Sequence, residues 1–91
     1  MFSEVFCIVS GKVQAVGYRD FVSRLAKEHG IVGFVRNKPD DTVEILGQGY
    51  PDILKQFVEE LNEGSVLAKV DGVAVDWRSP EVQFDDFQVL F

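Results

Sequence analysis

The sequence holds a single cysteine, Cys7, and a single histidine, His29. One cysteine forbids an intramolecular disulfide and any cysteine-based metal cluster. Cys7 lies in a strand-like pattern, where it reads as a small buried hydrophobe suited to a reducing cytoplasm. Cations are also scarce, with nine Lys and Arg against fifteen Asp and Glu, a formal net charge of −6. That balance argues against binding the phosphate backbone of a long nucleic acid. No apolar run approaches the roughly 20 residues needed to span a bilayer. The opening Met1-Phe2-Ser3-Glu4 lacks a basic region ahead of an apolar stretch, as a signal peptide would have. The expectation is therefore a cytoplasmic protein that touches neither membrane nor nucleic acid.

What is present is enough for one folded domain. Ninety-one residues, 46% of them hydrophobic, form a core but not two cores, so residues 1–91 read as a single domain. Linkers, low-complexity tracts and internal repeats are missing. The charge is uneven: residues 1–39 carry six cations and three acids, and residues 40–91 carry three cations and twelve acids. An anionic ligand would thus meet local attraction from Lys12, Arg19, Arg36 and Lys38 despite the acidic whole. A monomer is the default expectation for so small an acidic domain.

The periodicity alternates between strand and helix. Glu4 to Ser10 reads as a strand with apolar residues on both faces, as in a sheet covered by helices on at least one side. Phe21 to His29 places Phe21, Val22, Leu25 and Ala26 on one helical stripe, with Gly30 just past its end. Ile31 to Asn37 and Thr42 to Leu46 form a hairpin around Lys38-Pro39-Asp40-Asp41, the latter strand half-buried, with Val43 and Ile45 inward and Glu44 outward. Pro51 opens a second helix with Ile53, Leu54, Phe57, Val58 and Leu61 inward, ended by Gly64. Ala68 to Trp77 is a long strand whose apolar parity changes near Gly72, the mark of a bulge. Phe84 to Phe91 is a last strand with Phe87, Val89 and Phe91 on one face. The order β-α-β-β-α-β plus one strand implies an α+β, ferredoxin-like split β-α-β sandwich: an antiparallel sheet, two helices on one face and an extra C-terminal strand.

Between the first strand and first helix runs Gly11-Lys12-Val13-Gln14-Ala15-Val16-Gly17-Tyr18-Arg19. A short glycine-bounded loop leading into a helix lets successive backbone N–H groups and the helix's positive end converge on one anion. Arg19 adds a planar fork suited to two phosphate oxygens at once. Downstream lie Gly33-Phe34-Val35-Arg36-Asn37, Thr42-Val43-Glu44 and Gly47-Gln48-Gly49. Together these stretches resemble the acylphosphatase family, with its Gly-x-Val-Gln-Gly-Val-x-Phe-Arg phosphate loop and later Gly-aromatic-Val-x-Asn stretch. The resemblance extends over all 91 residues. Two positions depart from the family pattern: Ala15 and Asp41 stand where it usually has glycine.

The resemblance implies the same ferredoxin-like fold and the hydrolysis of acyl phosphates to carboxylate and inorganic phosphate. It also implies no metal, no other cofactor and no covalent intermediate. Arg19 and Asn37 would be the catalytic residues, Arg19 neutralising the phosphoryl group and Asn37 holding the attacking water. Gln14, Ala15, Val16, Gly17, Tyr18 and Arg19 would bind the substrate phosphate, with Gln14 organising the loop through its amide. Plainer readings exist for each residue: Arg19 as a surface partner of Asp20, Asn37 as a turn residue, His29 as a solvent-side residue at a helix end. Because this fold also hosts non-enzymes, two alternatives stand beside hydrolysis: a catalytically weak or inactive anion-binding module, and an RNA-recognition domain of the same topology. The second would need exposed aromatics on the central strands and a basic sheet face.

Overall fold

The structure, a computed structural model, describes residues 2–91; Met1 lies outside them. Five strands and two helices follow in the order β1 (Ser3–Lys12), α1 (Tyr18–Glu28), β2 (Val32–Asn37), β3 (Val43–Gly49), α2 (Pro51–Glu63), β4 (Lys69–Arg78) and β5 (Phe87–Leu90). The strands form one sheet in the order β4-β1-β3-β2-β5. Side chains alternate across it. Val5, Cys7 and Val9 of β1, Val35 of β2, and Val43 and Ile45 of β3 are wholly buried in the core they share with the helices. Helix α1 adds Val22, Leu25 and Ala26, and α2 adds Leu54, Phe57 and Leu61. Burying each large apolar side chain contributes about 1.5–3 kcal/mol, which holds both helices against one face. Burial also pushes the Cys7 thiol up to about 12, keeping it protonated and inert.

Several sequence expectations hold in detail. Gly30 follows α1 with a φ of 68°, Pro51 opens α2, and Gly64 ends it. The parity change in β4 is a bulge: Ser10 pairs with Gly72 and Gly11 with Val70, leaving Asp71 without a partner. Gly33 has a φ of 142°, and a Cβ there would sit 1.9 Å from the Leu46 carbonyl oxygen. The backbone of β2 can approach β3 this closely only with glycine at that position.

Three expectations are corrected. The sheet is mixed, because β5 pairs parallel to β2. Strand β4 lies on one edge and β5 on the other, so residues 79–86 cross the uncovered face between them, and β5 arrives running with β2. Helix α1 starts at Tyr18 rather than Phe21 because Gly17 takes a left-handed conformation and acts as its N-cap. This places Arg19 and Asp20 in the first turn. Glu44, expected outward, is buried on the sheet's uncovered face, where Arg36 pairs with it and the Lys38 ammonium lies 3.8 Å away.

The crossing segment is fastened by Gln48, which is fully buried. Its amide nitrogen donates to Glu4 Oε1 at 2.9 Å and to the Val82 carbonyl at 2.6 Å, and its oxygen accepts from the Phe84 N–H at 3.1 Å. Phe84 also packs edge-on to Phe34. Gln48→Leu, similar in size but unable to make these bonds, leaves several buried groups unpaired, each costing about 1–3 kcal/mol. The expected result is a loss of about 2–4 kcal/mol in urea unfolding at an unchanged m-value. A loss below about 1 kcal/mol would contradict the fastening role.

Candidate functional site

The turn from β1 into α1 builds the site. Ala15 has a φ of 57° and Gly17 a φ of 76°, so the backbone visits the left-handed region twice within three residues. Glycine does so without penalty, whereas alanine at such a φ costs on the order of 1–2 kcal/mol. The chain therefore keeps the loop's shape at Ala15 and carries the strain. No side chain caps α1; the Phe21 N–H bonds the Gly17 carbonyl at 3.0 Å. The N–H groups of the preceding residues are left facing outward with the positive end of the helix dipole.

Arg19 is positioned from the far end of the chain. Its Nη1 donates to the Leu90 carbonyl at 3.0 Å, and its guanidinium lies over the Phe91 ring, 4.8 Å from the centroid. It does not pair with Asp20, which instead bridges to Arg24 at 3.1 Å. A cavity of about 310 Å³ opens between these elements, with Ala15, Gly17, Tyr18 and Arg19 on one side. Val13, Val89 and Phe91 form an apolar wall, so the face expected for Val89 and Phe91 is the one that lines it. Asp20 is the one lining residue with an acidic side chain among those described, and that side chain is paired with Arg24.

The remaining phosphate-loop residues have their side chains elsewhere. Tyr18 is buried, with its hydroxyl donating to the Leu61 carbonyl at 3.0 Å. Burial, and then the nearby Cys7, raise its phenol above the ordinary tyrosine value, so it stays neutral. Val16 packs against the core. Gln14 directs its amide to the hairpin: Nε2 donates to the carbonyls of Lys38 and Thr42, both at 2.8 Å. Two N–H groups meet two carbonyls, so the side chain ties the loop to the β2–β3 turn. Gln14 and Val16 are not among the cavity's lining residues; Tyr18 is, with its hydroxyl engaged by Leu61.

Asn37 ends β2, paired across the hairpin with Val43. Alternation puts it on the helix-covered face with Val35, whereas Arg36 turns to the other face. It is not among the residues that line the cavity, but the Lys38 carbonyl that accepts from Gln14 belongs to the next residue. Its Oδ1 is buried with no hydrogen-bond partner among the described residues. The hairpin turn is fixed locally. Asp41 takes a φ of 70°, the conformation its replacement of glycine requires. Hydrogen bonds from the Thr42 hydroxyl and backbone N–H hold the Asp40 carboxyl below the usual carboxylate value.

His29 differs from its expected place. Its Nε2 lies 2.8 Å from Glu60 Oε1, joining the end of α1 to α2. The Phe91 stack, the Leu90 carbonyl and Asp20 were not singled out as site features by the sequence. The period-2 pattern put Val89 and Phe91 on one face, but only the parallel pairing of β5 with β2 brings them to α1.

Known proteins resemble the chain both in sequence over most of its length and in overall fold. A family model described as Acylphosphatase matches residues 5–89. An acylphosphatase of Bacillus licheniformis is 40% identical over 84 residues, covering 92% of this chain and 93% of the relative. One from Marinobacter nauticus is 44% identical over 81 residues, covering 89% and 88%. The crystal structure of acylphosphatase from Bacillus subtilis superposes with a TM-score of 0.95 at 34% identity, covering 98% of this chain and 99% of that one. With matches of this extent to enzymes that hydrolyse acid anhydrides, the chain belongs to the acylphosphatase family.

Proposed function

We propose that residues Ala15 to Arg19 grip the phosphoryl group of an acyl phosphate while Asn37 orients the water that attacks it. The observation that carries the phosphoryl-binding part of this reading is the cavity at the start of α1. Into it open an uncapped helix start, a left-handed glycine turn and a guanidinium held in place by Leu90 and Phe91. Backbone N–H groups and the guanidinium together match the charge that spreads over the phosphoryl oxygens in a loose transition state. One Arg19 nitrogen is engaged with Leu90, and the planar group keeps further donors for two phosphate oxygens.

The step balances without a cofactor. The water oxygen attacks phosphorus, the bond from phosphorus to the acyl oxygen breaks, and the carboxylate leaves with the electron pair. The water's proton passes to a phosphoryl oxygen. The Asn37 Oδ1 accepts from the water, a role consistent with its lack of a partner among the described residues. Gln14 fixes the loop at the correct distance from that carboxamide through the Lys38 and Thr42 carbonyls. The substrate arrives already activated, so neither a nucleophilic side chain nor a resident metal is required. This reading includes a monomer acting in the cytoplasm on small acyl phosphates, with inorganic phosphate as product and competing ligand.

Arg19→Ala is expected to lower benzoyl phosphate turnover by about 10³-fold or more. Asn37→Ala should lower it roughly 10²–10³-fold while inhibition by inorganic phosphate stays nearly unchanged. Equal losses in turnover and phosphate affinity for Asn37→Ala would remove its water-orienting role. Gln14→Leu frees the hairpin from the loop and should cost about tenfold or more in kcat, again with phosphate inhibition little altered. A normal kcat in that variant contradicts the tie. Because Ala15 already holds the left-handed turn, Ala15→Gly should change kcat by less than about threefold and act mainly on stability. A tenfold rise in kcat would instead mean that alanine distorts the cradle.

A further inference from the structure

We propose that a second cavity, on the uncovered face of the sheet, binds a small organic ammonium ion with Glu4 as its counter-charge. This cavity, of about 530 Å³, lies between the sheet and the crossing segment. Glu4, Leu46 and Arg78 wall it from the strands, and Glu81, Val82 and Phe84 from the segment. It shares no lining residue with the cavity at the start of α1. Glu4 is only 6% exposed, yet no cation pairs with it among the described residues. Its Oε1 accepts from Gln48 at 2.9 Å, and its Oε2 has no described hydrogen-bond partner. Unlike Asn37 Oδ1, which is sealed off without a partner, this oxygen keeps contact with solvent and so opens into the cavity. Arg78 stands opposite Glu4 in the β1–β4 ladder. It pairs instead with Asp76 at 2.9 Å, its guanidinium 4.3 Å from the Phe6 ring centroid.

A carboxylate withdrawn from water with one neutral amide as partner bears a desolvation cost that an adjacent cation offsets. The donor set decides which cation. Among the described residues no three His, Cys, Asp or Glu side chains stand together to hold a metal ion. Leu46, Val82 and Phe84 supply apolar surface instead. An ammonium on a small apolar body matches both features, its N–H groups donating to Oε2 while the body covers the apolar wall. The exposed Glu81 adds a second negative charge at the rim. A plainer role for Glu4 is to accept from Gln48 and so help fasten the crossing segment. That role needs an acceptor but not a charge. Glu4→Gln keeps a side-chain oxygen for Gln48 and removes the charge, so it separates the two.

The test titrates benzylammonium into isotope-labelled protein at constant ionic strength set with sodium chloride. Benzyl alcohol, which has the same ring and no charge, is titrated beside it. With benzylammonium, the backbone amides of Glu4, Gln48, Val82 and Phe84 should shift saturably with a midpoint on the order of 1 mM, while those of Ala15 to Arg19 stay still. Benzyl alcohol should bind at least about tenfold more weakly. Folded Glu4→Gln should lose at least about tenfold in affinity for benzylammonium. A smaller difference in either comparison, or no saturation below about 20 mM, overturns the proposal and leaves the hydrolytic reading intact. Should Glu4→Gln fail to fold, the wild-type comparison of the two compounds decides by the same criterion.

Discussion

The hydrogen bond from Arg19 to the Leu90 carbonyl joins residues 71 positions apart and gives the site its geometry. An arginine in the first turn of a helix has long, mobile reach, and ordering it costs rotamer entropy of up to about 2 kcal/mol. Here that cost is met in advance by a carbonyl on one side and the Phe91 ring on the other. The guanidinium is thereby presented beside Ala15 and Gly17 before any ligand arrives, the preorganisation that the proposed electrostatic role calls for. This makes the last strand part of the site, although no residue of it carries chemistry.

Much of the remaining fold can be understood as what delivers β5 to that position. The chain leaves β4 at one edge of the sheet and must reach the other edge, so residues 79–86 cross the face that no helix covers. A crossing segment has backbone groups to satisfy, and Gln48 answers this by bonding Val82, Phe84 and Glu4 together. On the same face Glu44 gathers Arg36 and Lys38. The uncovered face is thus a polar brace, whereas the helix-covered face holds the hydrophobic core and, at its end, the cavity. Gln14 performs the corresponding service on the site side, tying the loop to the hairpin.

The sequence made the elements legible because their signals are local. Alternation in β1, the stripes of both helices, Pro51 at a helix start and the bulge near Gly72 each depend on neighbouring residues. The residues of the candidate site stand out in the sequence for the same reason: the glycine loop and Arg19 lie within nine residues, and Asn37 stands in a second short motif. What stayed hidden depends on sheet order. The parallel pairing of β5, the burial of Glu44 and the placement of Arg36 on the far face all follow from strand neighbours that periodicity does not reveal. The Ala15 and Asp41 departures from the glycine pattern keep the turns in both places, with strain at Ala15 and with a residue that tolerates the left-handed conformation at Asp41.

The central claim is that main-chain amides closed by one guanidinium form the anion site. Titrating inorganic phosphate into isotope-labelled protein and following backbone amide resonances tests it most directly. The account predicts saturable shifts largest at the N–H groups of Ala15 to Arg19, with little change at Glu4, Gln48 and Val82 on the uncovered face. Saturable binding that moves the uncovered face and leaves the loop amides still would contradict it.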